Sequence, residues 1–306
     1  MKGDITGWIE AGHTVAELEE LIAALPEWKP AEPPQETFDT PSVVNVVSVV
    51  WPELADAAYY GLAGNVVRII EPHSEADPVA LLLQFLTAAG NLMGRTAYFQ
   101  VESDRHCPNI FSVMVGDSSK ARKGTSWGRV RALGSIADPQ WIGDRVKGGI
   151  SSGEGLINEV CDERREWNNK TGCEEVVDSG VKDKRLMVVE PEFASALSVA
   201  ERHGSTISPI IRNAWDGVKL ATLVKNSPLS ATGAHISILG HVTIHELRAR
   251  ITRTDVANGF ANRFNFALVK RSKLLPHGGD LDATWKASDN NCGKLWRSRP
   301  PLGASP

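Results

Sequence analysis

The chain reads Ile110-Phe-Ser-Val-Met-Val-Gly116-Asp-Ser-Ser-Lys-Ala-Arg-Lys-Gly-Thr-Ser126 near its middle, and this stretch decides the fold class. Residues 110–115 form a short apolar run that Gly116 ends, which is the pattern of a buried strand. The polar segment that follows is a connection, and a helical pattern runs from Thr125 to Leu133. The stretch therefore predicts a strand, a loop and a helix in direct succession.

Short apolar runs recur at residues 186–189, 236–239 and 264–269, with helical patterns between them. Strands that alternate with helices are typical of a mainly parallel sheet. Before the decisive stretch, residues 52–62 and 78–93 also have helical patterns, and the second has an apolar face suited to packing against a sheet. The sequence therefore predicts an α/β protein with a mainly parallel central sheet.

The N-terminal part of the chain differs in pattern from this α/β region. Residues 15–25 form a short acidic amphipathic pattern that Thr14 can cap, with Glu17 three residues on. Prolines at positions 26, 30, 33 and 34 follow, and such a stretch cannot sustain a helix. We therefore expect an N-terminal helical segment over 1–28, a proline-rich linker over 29–42, a helical lead-in over 43–105, the α/β core over 106–277 and a loose polar tail over 278–306.

Composition limits the classes of protein that fit. The chain has 306 residues and a net charge of −4, so a nucleic-acid-binding face would need its basic residues concentrated locally. Its 4 cysteines have no CxxC spacing, which argues against a zinc ribbon or a disulfide framework. No apolar run approaches the roughly 18–20 residues of a membrane span, and the N-terminus lacks a signal-peptide pattern. We expect a cytoplasmic protein without membrane contact.

The loop after the first core strand has the composition of a phosphate-binding loop. In such a loop, backbone N–H groups and the next helix N-terminus point at the anion, a lysine neutralises the terminal phosphates, and a hydroxyl holds Mg²⁺. The usual pattern is GxxxxGK[ST]. Here Lys123 lies seven positions after Gly116, Arg122 stands where the second glycine belongs, and Gly124 separates the lysine from Thr125. A solvated basic connection between strand and helix is the alternative.

This loop supplies most of the candidate binding residues. Lys123 is the candidate for the β- and γ-phosphates, and Thr125 or Ser126 is the candidate for the metal ion. The full set of candidates for nucleotide binding is Gly116, Ser118, Ser119, Arg122, Lys123, Gly124, Thr125, Ser126 and, from a later strand, His241.

Acidic residues follow two other segments. Glu190 ends the apolar strand 185–190, where a carboxylate can hold the water shell of Mg²⁺, and Glu192 is the second choice. Glu154 lies in a glycine-rich loop, where it can orient or deprotonate an attacking water. The alternatives are acids that solvate a strand end, and a helix start capped by Ser151 or Ser152.

Polar residues beyond the later strands extend the candidate site. His241 and Thr243 lie where a polar group can detect the terminal phosphate; the alternatives for His241 are a core histidine and, with His245, a metal site that lacks a third ligand. Arg263 and Arg271 are candidates for an arginine finger acting on a neighbouring subunit's nucleotide, with surface charge or an ion pair as the alternative.

A basic and aromatic segment between two core strands is suited to single-stranded DNA, because bases stack on aromatic rings and cations neutralise the backbone. The alternative is a packed aromatic ring among solvated lysines. Its residues are Asn213, Trp215, Lys219, Lys225 and Asn226.

Five segments occur along the chain in a set order: Gly116…Lys123-Gly-Thr, Ser151-Ser-Gly-Glu-Gly-Leu-Ile, Leu186-Met-Val-Val-Glu-Pro-Glu-Phe, Ser237-Ile-Leu-Gly-His-Val-Thr and Asn262-Arg-Phe…Arg271-Ser-Lys-Leu-Leu-Pro. Over residues 50–277 the chain thereby resembles a family of P-loop proteins from phages, plasmids and actinobacteria that is related to RepA-like and DnaB-like replicative helicases. The opening Gly3-Asp-Ile-Thr-Gly-Trp-Ile-Glu-Ala-Gly is similar to the segment that ends the Toprim primase part of primase–helicase proteins.

The resemblance implies a RecA-like P-loop core, Mg²⁺-dependent ATP hydrolysis and work on DNA. It assigns Lys123 as the P-loop lysine, Glu190 as the metal-site acid and Glu154 as the catalytic acid. It also implies a sensor at His241, a finger at Arg263 or Arg271, assembly into a homo-oligomeric ring such as a hexamer, and an upstream primase module. The other interpretations are a nucleotide-binding replication scaffold with little ATP turnover, and an unrelated metal-dependent or nucleotidyl enzyme.

Overall fold

The computed structural model describes residues 12–24, 51–118, 120–222 and 228–281. The chain divides into two units, Met1–Trp51 and Pro52–Pro306. In the first unit, helix α1 (Val15–Ala24) confirms the predicted N-terminal helix. The Glu17 backbone N–H donates to Thr14 Oγ1 at 3.4 Å, and the Thr14 N–H donates to Glu17 Oε2 at 2.8 Å, as the capping pattern predicts. The proline-rich linker and the tail beyond residue 281 lie outside the described residues.

The second unit alternates helices and strands. Its helices are α2 (Gly61–Ile70), α3 (Pro78–Met93), α4 (Lys123–Ala137), α5 (Pro139–Asp144), α6 (Gly153–Asn158), α7 (Phe193–Ala200), α8 (Ile207–Asp216), α9 (Ile244–Arg250) and α10 (Arg253–Ala257). Its strands are β1 (Phe99–Val101), β2 (Asp104–His106), β3 (Phe111–Val115), β4 (Val146–Lys147), β5 (Arg164–Asn168), β6 (Cys173–Asp178), β7 (Arg185–Glu190), β8 (Leu220–Ala221), β9 (Ser230–Ala231), β10 (His235–Val242) and β11 (Asn265–Leu268). Single 3₁₀ turns occur at Asp56–Ala58, Glu71–His73, Gly94–Thr96 and Ala261–Arg263.

Five strands form the central sheet in the order β11-β3-β10-β7-β4, and every neighbouring pair is parallel. The prediction of an α/β protein with a mainly parallel sheet is confirmed. The apolar runs predicted as core strands lie in β3, β7, β10 and β11. The pairs β1–β2, β5–β6 and β8–β9 form separate antiparallel two-stranded sheets.

Side chains of the central strands alternate between two apolar clusters, one on each face of the sheet. Helices α6, α7 and α8 pack on the first face, and α2, α3, α4 and α5 pack on the second. The lead-in helices α2 and α3 thus share one apolar cluster with the predicted core. Among the residues that the structure describes, no helix is long and apolar enough to cross a membrane.

The predicted helix at residues 52–62 is wrong over most of its length. That segment contains a 3₁₀ turn, and α2 begins only at Gly61. Tyr60 is extended, with φ −96° and ψ 150°, and Gly61 has a φ of +58°, so the backbone leaves the helical region just before α2. The left-handed conformation is one that glycine adopts without strain, and it prevents one continuous helix across this point.

Close packing between β10 and α7 depends on Gly240. A Cβ atom at this position would lie 2.6 Å from Phe193 Cγ and 2.7 Å from Phe193 Cδ2. We expect Gly240→Ala to lower the free energy of unfolding by about 1–3 kcal/mol, because the ring must move within a filled core. Urea unfolding followed by circular dichroism measures the change.

The matched control is Gly128→Ala in the interior of α4, where a Cβ would meet nothing within 4 Å. This substitution is expected to leave stability unchanged or to raise it by about 0.5–1 kcal/mol through helix propensity. Equal effects of the two substitutions would contradict the close approach of Phe193 to β10.

Candidate functional site

The central sheet has a crevice at the ends of β3 and β10. The chain that follows these two neighbouring strands leaves on opposite faces of the sheet. After β3 the chain enters α4, whose Val130 and Leu133 belong to the apolar cluster on the second face. After β10 it enters α9, whose Ile244 and Leu247 pack against the cluster on the first face. In open α/β sheets such a divergence opens a binding crevice beyond the carboxyl ends of the two strands.

A cavity of about 630 Å³ lies at this crevice. Its volume falls within the range of about 300–1,000 Å³ that is usual for small-molecule sites. Six of the sequence-predicted binding residues line it, namely Ser118, Arg122, Lys123, Gly124, Thr125 and His241. The remaining lining residues are Asp117, Pro191, Glu192, Val242, Thr243 and Glu246.

The loop between β3 and α4 is held tightly at its start. A Cβ on Gly116 would lie 2.4 Å from the carbonyl oxygen of Val269 and 2.7 Å from the Ala121 Cβ, so only glycine fits there. The Gly116 N–H donates to the carbonyl of Val242 at 3.1 Å, which ties the loop to the end of β10. Gly116 therefore positions the loop, while the residues after it face the cavity.

Arg122 ends the loop in a left-handed conformation, with φ 52° and ψ 29°. This is the position where the usual phosphate-loop pattern has its second glycine, and the backbone adopts the conformation that glycine favours. The Arg122 Nε donates to Glu75 Oε2 at 2.6 Å, which helps to hold the strained residue in place. Arg122 therefore adopts a backbone conformation that usually favours glycine.

Lys123 is the first residue of α4, and its side chain folds back over the loop. Its ammonium group donates to the carbonyl oxygens of Gly116 at 2.5 Å and Asp117 at 3.1 Å. Burial lowers the pKa of Lys123, while the carboxylates of Glu246 and Asp117 act in the opposite direction. The lysine is thus a half-buried cation beside the cavity, with its donors turned to main-chain oxygens that an anion can replace.

The two hydroxyl candidates after Lys123 have different surroundings. Thr125 lines the cavity. Ser126 is fully buried, and its Oγ donates to the Lys123 carbonyl at 2.7 Å and accepts from the Gln84 amide at 2.9 Å. Thr125 is therefore the hydroxyl available to a metal ion. Ser119, another candidate from the loop, lies outside the described residues.

The two acids at the end of β7 are separated by the structure. Glu190 is buried, and its Oε1 accepts the backbone N–H groups of Gly149 and Ile150, both at 2.7 Å. Glu192 is exposed and lines the cavity. Glu192, the second choice, therefore lies at the cavity wall. One carboxylate oxygen of Glu190, the first choice, holds the backbone of residues 149–150.

Glu154 lies in the first turn of α6, whose start is capped by Ser152 Oγ accepting the Gly155 N–H at 2.9 Å. Its carboxylate accepts the Thr206 hydroxyl at 3.0 and 3.1 Å. It is not among the lining residues of the cavity. The alternative interpretation of a capped helix start is confirmed, and the structure does not bring Glu154 to the other candidates.

His241 is 5% exposed and is the second-last residue of β10, at the cavity. Burial, and secondarily the charge of Lys123, lower its pKa to about 4, so the ring is neutral near pH 7. His245 is exposed on α9. Within the described ranges, no group of three or more His, Cys, Asp or Glu side chains is arranged to hold a metal ion alone. The two-histidine metal site therefore gains no third ligand there.

Neither finger candidate lines the cavity of its own chain. Arg263 donates to Asp216 Oδ2 at 3.0 Å and to the Gly259 carbonyl at 2.7 Å, and its guanidinium lies 5.6 Å from the Trp215 ring centroid. The Arg271 Nε lies 3.7 Å from Glu75 Oε2. Within this chain, both arginines therefore form ion pairs, which is the alternative interpretation given for them.

The predicted DNA-binding segment is described only in part. Trp215 is 38% exposed, and Lys219 is exposed. Lys225 and Asn226 lie outside the described residues.

Sequence reasoning missed five residues of this region, one of which is Val242 at the cavity wall. Asp117 and Glu246 line the cavity, and Gln84 contacts Ser126 and His241 from α3. Pro191 was passed over as part of a strand end. The Thr243-x-x-Glu246 spacing is a capping-box pattern that signals a helix start beside the sensor candidate, and the structure contains this box. The sequence signal for Gln84 is a single glutamine within the largely apolar helical pattern of residues 78–93.

A comparison of the chain with models of protein families and with curated proteins finds no match.

The different surroundings of the two strand-end acids make a testable contrast. We expect Glu190→Ala to lower the free energy of unfolding by about 3 kcal/mol, because two backbone N–H groups lose a charged acceptor. Glu192→Ala should change it by no more than about 0.5 kcal/mol, because the side chain is exposed. Urea unfolding of both variants measures the difference. A stable Glu190→Ala protein would show that the carboxylate does not hold the 149–150 loop.

Proposed function

We propose that this chain is an ATP-hydrolysing motor with a RecA-like P-loop core that acts on DNA, as the helicase part of a primase–helicase. One observation carries the proposal. The cavity at the divergence of β3 and β10 brings together the Lys123 ammonium, the Thr125 hydroxyl and the start of a 15-residue helix with an acid and a histidine from two other strand ends.

Several features of the cavity favour a polyphosphate. Helix α4 begins at Lys123, so its unpaired N–H groups and its dipole favour negative charge there. Lys123 and Arg122 add two cationic side chains to the same wall. An entering phosphate replaces the carbonyl oxygens that now accept from Lys123. The loop then binds the phosphates through main-chain amides and one ammonium group.

The residues present fit a magnesium ion bound together with the nucleotide. Mg²⁺ prefers oxygen ligands and is commonly held by one or two carboxylates together with substrate phosphates, so a complete protein cage is not required. Thr125 would supply a hydroxyl, and Glu192 would supply a carboxylate from the same cavity. When bound, the ion neutralises charge that develops on the phosphate oxygens during transfer.

The end of β10 is suited to detecting the terminal phosphate. His241 and Thr243 line the cavity, and Thr243 is also the N-cap of α9. A change in phosphate contacts at Thr243 therefore acts on the start of a helix on the other face of the sheet. In the proposed ring, Arg263 or Arg271 of one subunit completes the site of its neighbour, and residues 213–226 contact single-stranded DNA.

A second function is a nucleotide-binding replication scaffold with little turnover. The position of Glu154 favours it, because this carboxylate is bound to Thr206 and does not line the cavity. Arg263 is likewise paired with Asp216 inside its own chain. Hydrolysis by the first mechanism requires another group to orient water, and besides Glu192 the acids that line the cavity are Asp117 and Glu246.

The central test is ATPase activity with and without single-stranded DNA. We expect wild-type activity that DNA stimulates, and Lys123→Ala should lower it about 100-fold or more, because the charge on the transferring phosphate loses its nearest cation. Lys120→Ala is the matched control, since this exposed lysine of the same loop is not among the lining residues. Its activity should remain within about twofold of wild type, as is usual for surface changes.

The outcomes separate the two functions. Nucleotide binding without DNA-stimulated turnover supports the scaffold. Equal nucleotide affinity of Lys123→Ala and wild type refutes both, because neither then uses the loop as proposed.

A further inference from the structure

The wall of the cavity continues inward as a small network of buried polar groups. Gln84 is fully buried on α3, and its side-chain nitrogen lies 2.9 Å from Ser126 Oγ and 3.3 Å from His241 Nε2. The same nitrogen lies 3.5 Å from the Lys123 carbonyl. A helix that precedes the first core strand thus contacts the start of the phosphate loop helix and the end of the sensor strand at one point.

The pattern of donors and acceptors agrees with one orientation of the Gln84 amide. Ser126 already donates its proton to the Lys123 carbonyl at 2.7 Å, so its oxygen accepts from Gln84. In the reversed orientation, the Gln84 carbonyl oxygen would lie beside the Lys123 carbonyl oxygen with no hydrogen atom between them. One N–H of the amide therefore goes to Ser126, and the second points to His241 Nε2.

This arrangement determines where His241 holds its proton. An Nε2 atom that accepts a hydrogen bond bears no proton, and a neutral imidazole then has its N–H at Nδ1. The burial of the ring and the nearby Lys123 charge keep it neutral. A charged ring would repel Lys123, whereas a neutral N–H still donates to a phosphate oxygen.

The buried side chain of Gln84 lowers the stability of the fold, so a contribution to stability does not explain why this residue is present. Its Oε1 is buried without a hydrogen-bond partner among the described residues. Its neighbours along α3 are largely apolar, and an apolar side chain there would avoid the unpaired oxygen. A buried polar group that is only partly satisfied calls for another explanation, and its contact with His241 supplies one.

We propose that Gln84 is a positioning residue for the nucleotide site: its amide holds His241 as the Nδ1–H tautomer, so that the ring presents a neutral donor to the terminal phosphate. This inference rests on the proposed function, because it assigns His241 a phosphate to bind. Gln84 itself does not line the cavity and acts through His241.

The tautomer is measured directly by long-range ¹H–¹⁵N NMR of the histidine rings in the wild-type chain. The His241 signals are assigned by their loss in His241→Gln. We expect a protonated Nδ1 and a bare Nε2. A protonated Nε2 on His241 overturns the proposal, and this result needs neither nucleotide nor a variant of Gln84.

Binding measurements test the role toward the phosphate. With Mg²⁺ present, Gln84→Leu should bind a non-hydrolysable ATP analogue about tenfold more weakly than wild type, with ADP affinity unchanged, because one hydrogen bond to a charged group is lost. Thr87→Val is the matched control. Thr87 is equally buried on α3, and its hydroxyl bonds to Leu83 and Ser112 away from the cavity.

The results separate positioning from a structural role. Thr87→Val should leave the ratio of the two affinities unchanged even if it lowers stability. Equal weakening of both nucleotides in Gln84→Leu makes Gln84 structural and overturns the proposal. If wild type binds neither nucleotide, the proposed function fails, and the phosphate-sensing role of Gln84 fails with it. The NMR result then still decides which tautomer His241 adopts, and the same spectrum of Gln84→Leu decides whether Gln84 selects it.

Discussion

The parallel pairing of β3 with β10 is the constraint on which the rest of the site depends. Val115 lies opposite Val242 at the ends of these strands, and the Gly116 N–H continues the pairing by donating to the Val242 carbonyl at 3.1 Å. This bond sets the loop after β3 directly beside His241 and Thr243. Because the following helices leave on opposite faces of the sheet, the space between them stays open and becomes the cavity.

A second layer of contacts holds the loop from outside the sheet. Glu75 accepts from Arg122 at 2.6 Å and from the Leu275 backbone N–H at 2.9 Å, and it lies near Arg271. The Leu275 N–H and then the arginines keep the pKa of this carboxyl below its usual range. The Glu75 carboxylate thus joins Arg122, at the end of the loop between β3 and α4, to the segment that follows β11.

Helix α3 has a corresponding role on the inner side. Asp77 caps its start by accepting the Val79 N–H at 2.9 Å and also accepts the Lys270 N–H at 3.0 Å. Further along the same helix, Gln84 contacts Ser126 and His241, and Asn91 donates to the Leu186 and His235 carbonyls. These contacts reach β7, β10, the first turns of α4 and the segment after β11, so α3 binds the sheet by polar contacts as well as apolar packing.

The sequence by itself determined the fold class, the positions of four of the five core strands and the loop that follows the first of them, and it missed β4. Each of the features that it determined follows from local apolar runs and from the glycine and polar residues that end them. Such patterns depend only on neighbouring residues in the chain. Motif spacing also placed Lys123, Thr125 and His241 in one candidate site, and the structure brings all three to the cavity.

Only the tertiary structure decided which side chains within each motif face that cavity. Glu190 and Glu192 are two residues apart, and sequence favoured the one at the strand end, yet hydrogen bonds from the 149–150 loop occupy one oxygen of Glu190 while Glu192 reaches the cavity. Glu154 pairs with Thr206, and Gln84 meets His241 across 157 positions of sequence. Such contacts depend on which strands and helices become neighbours, and that is set by the packing of the whole sheet, which no local pattern records.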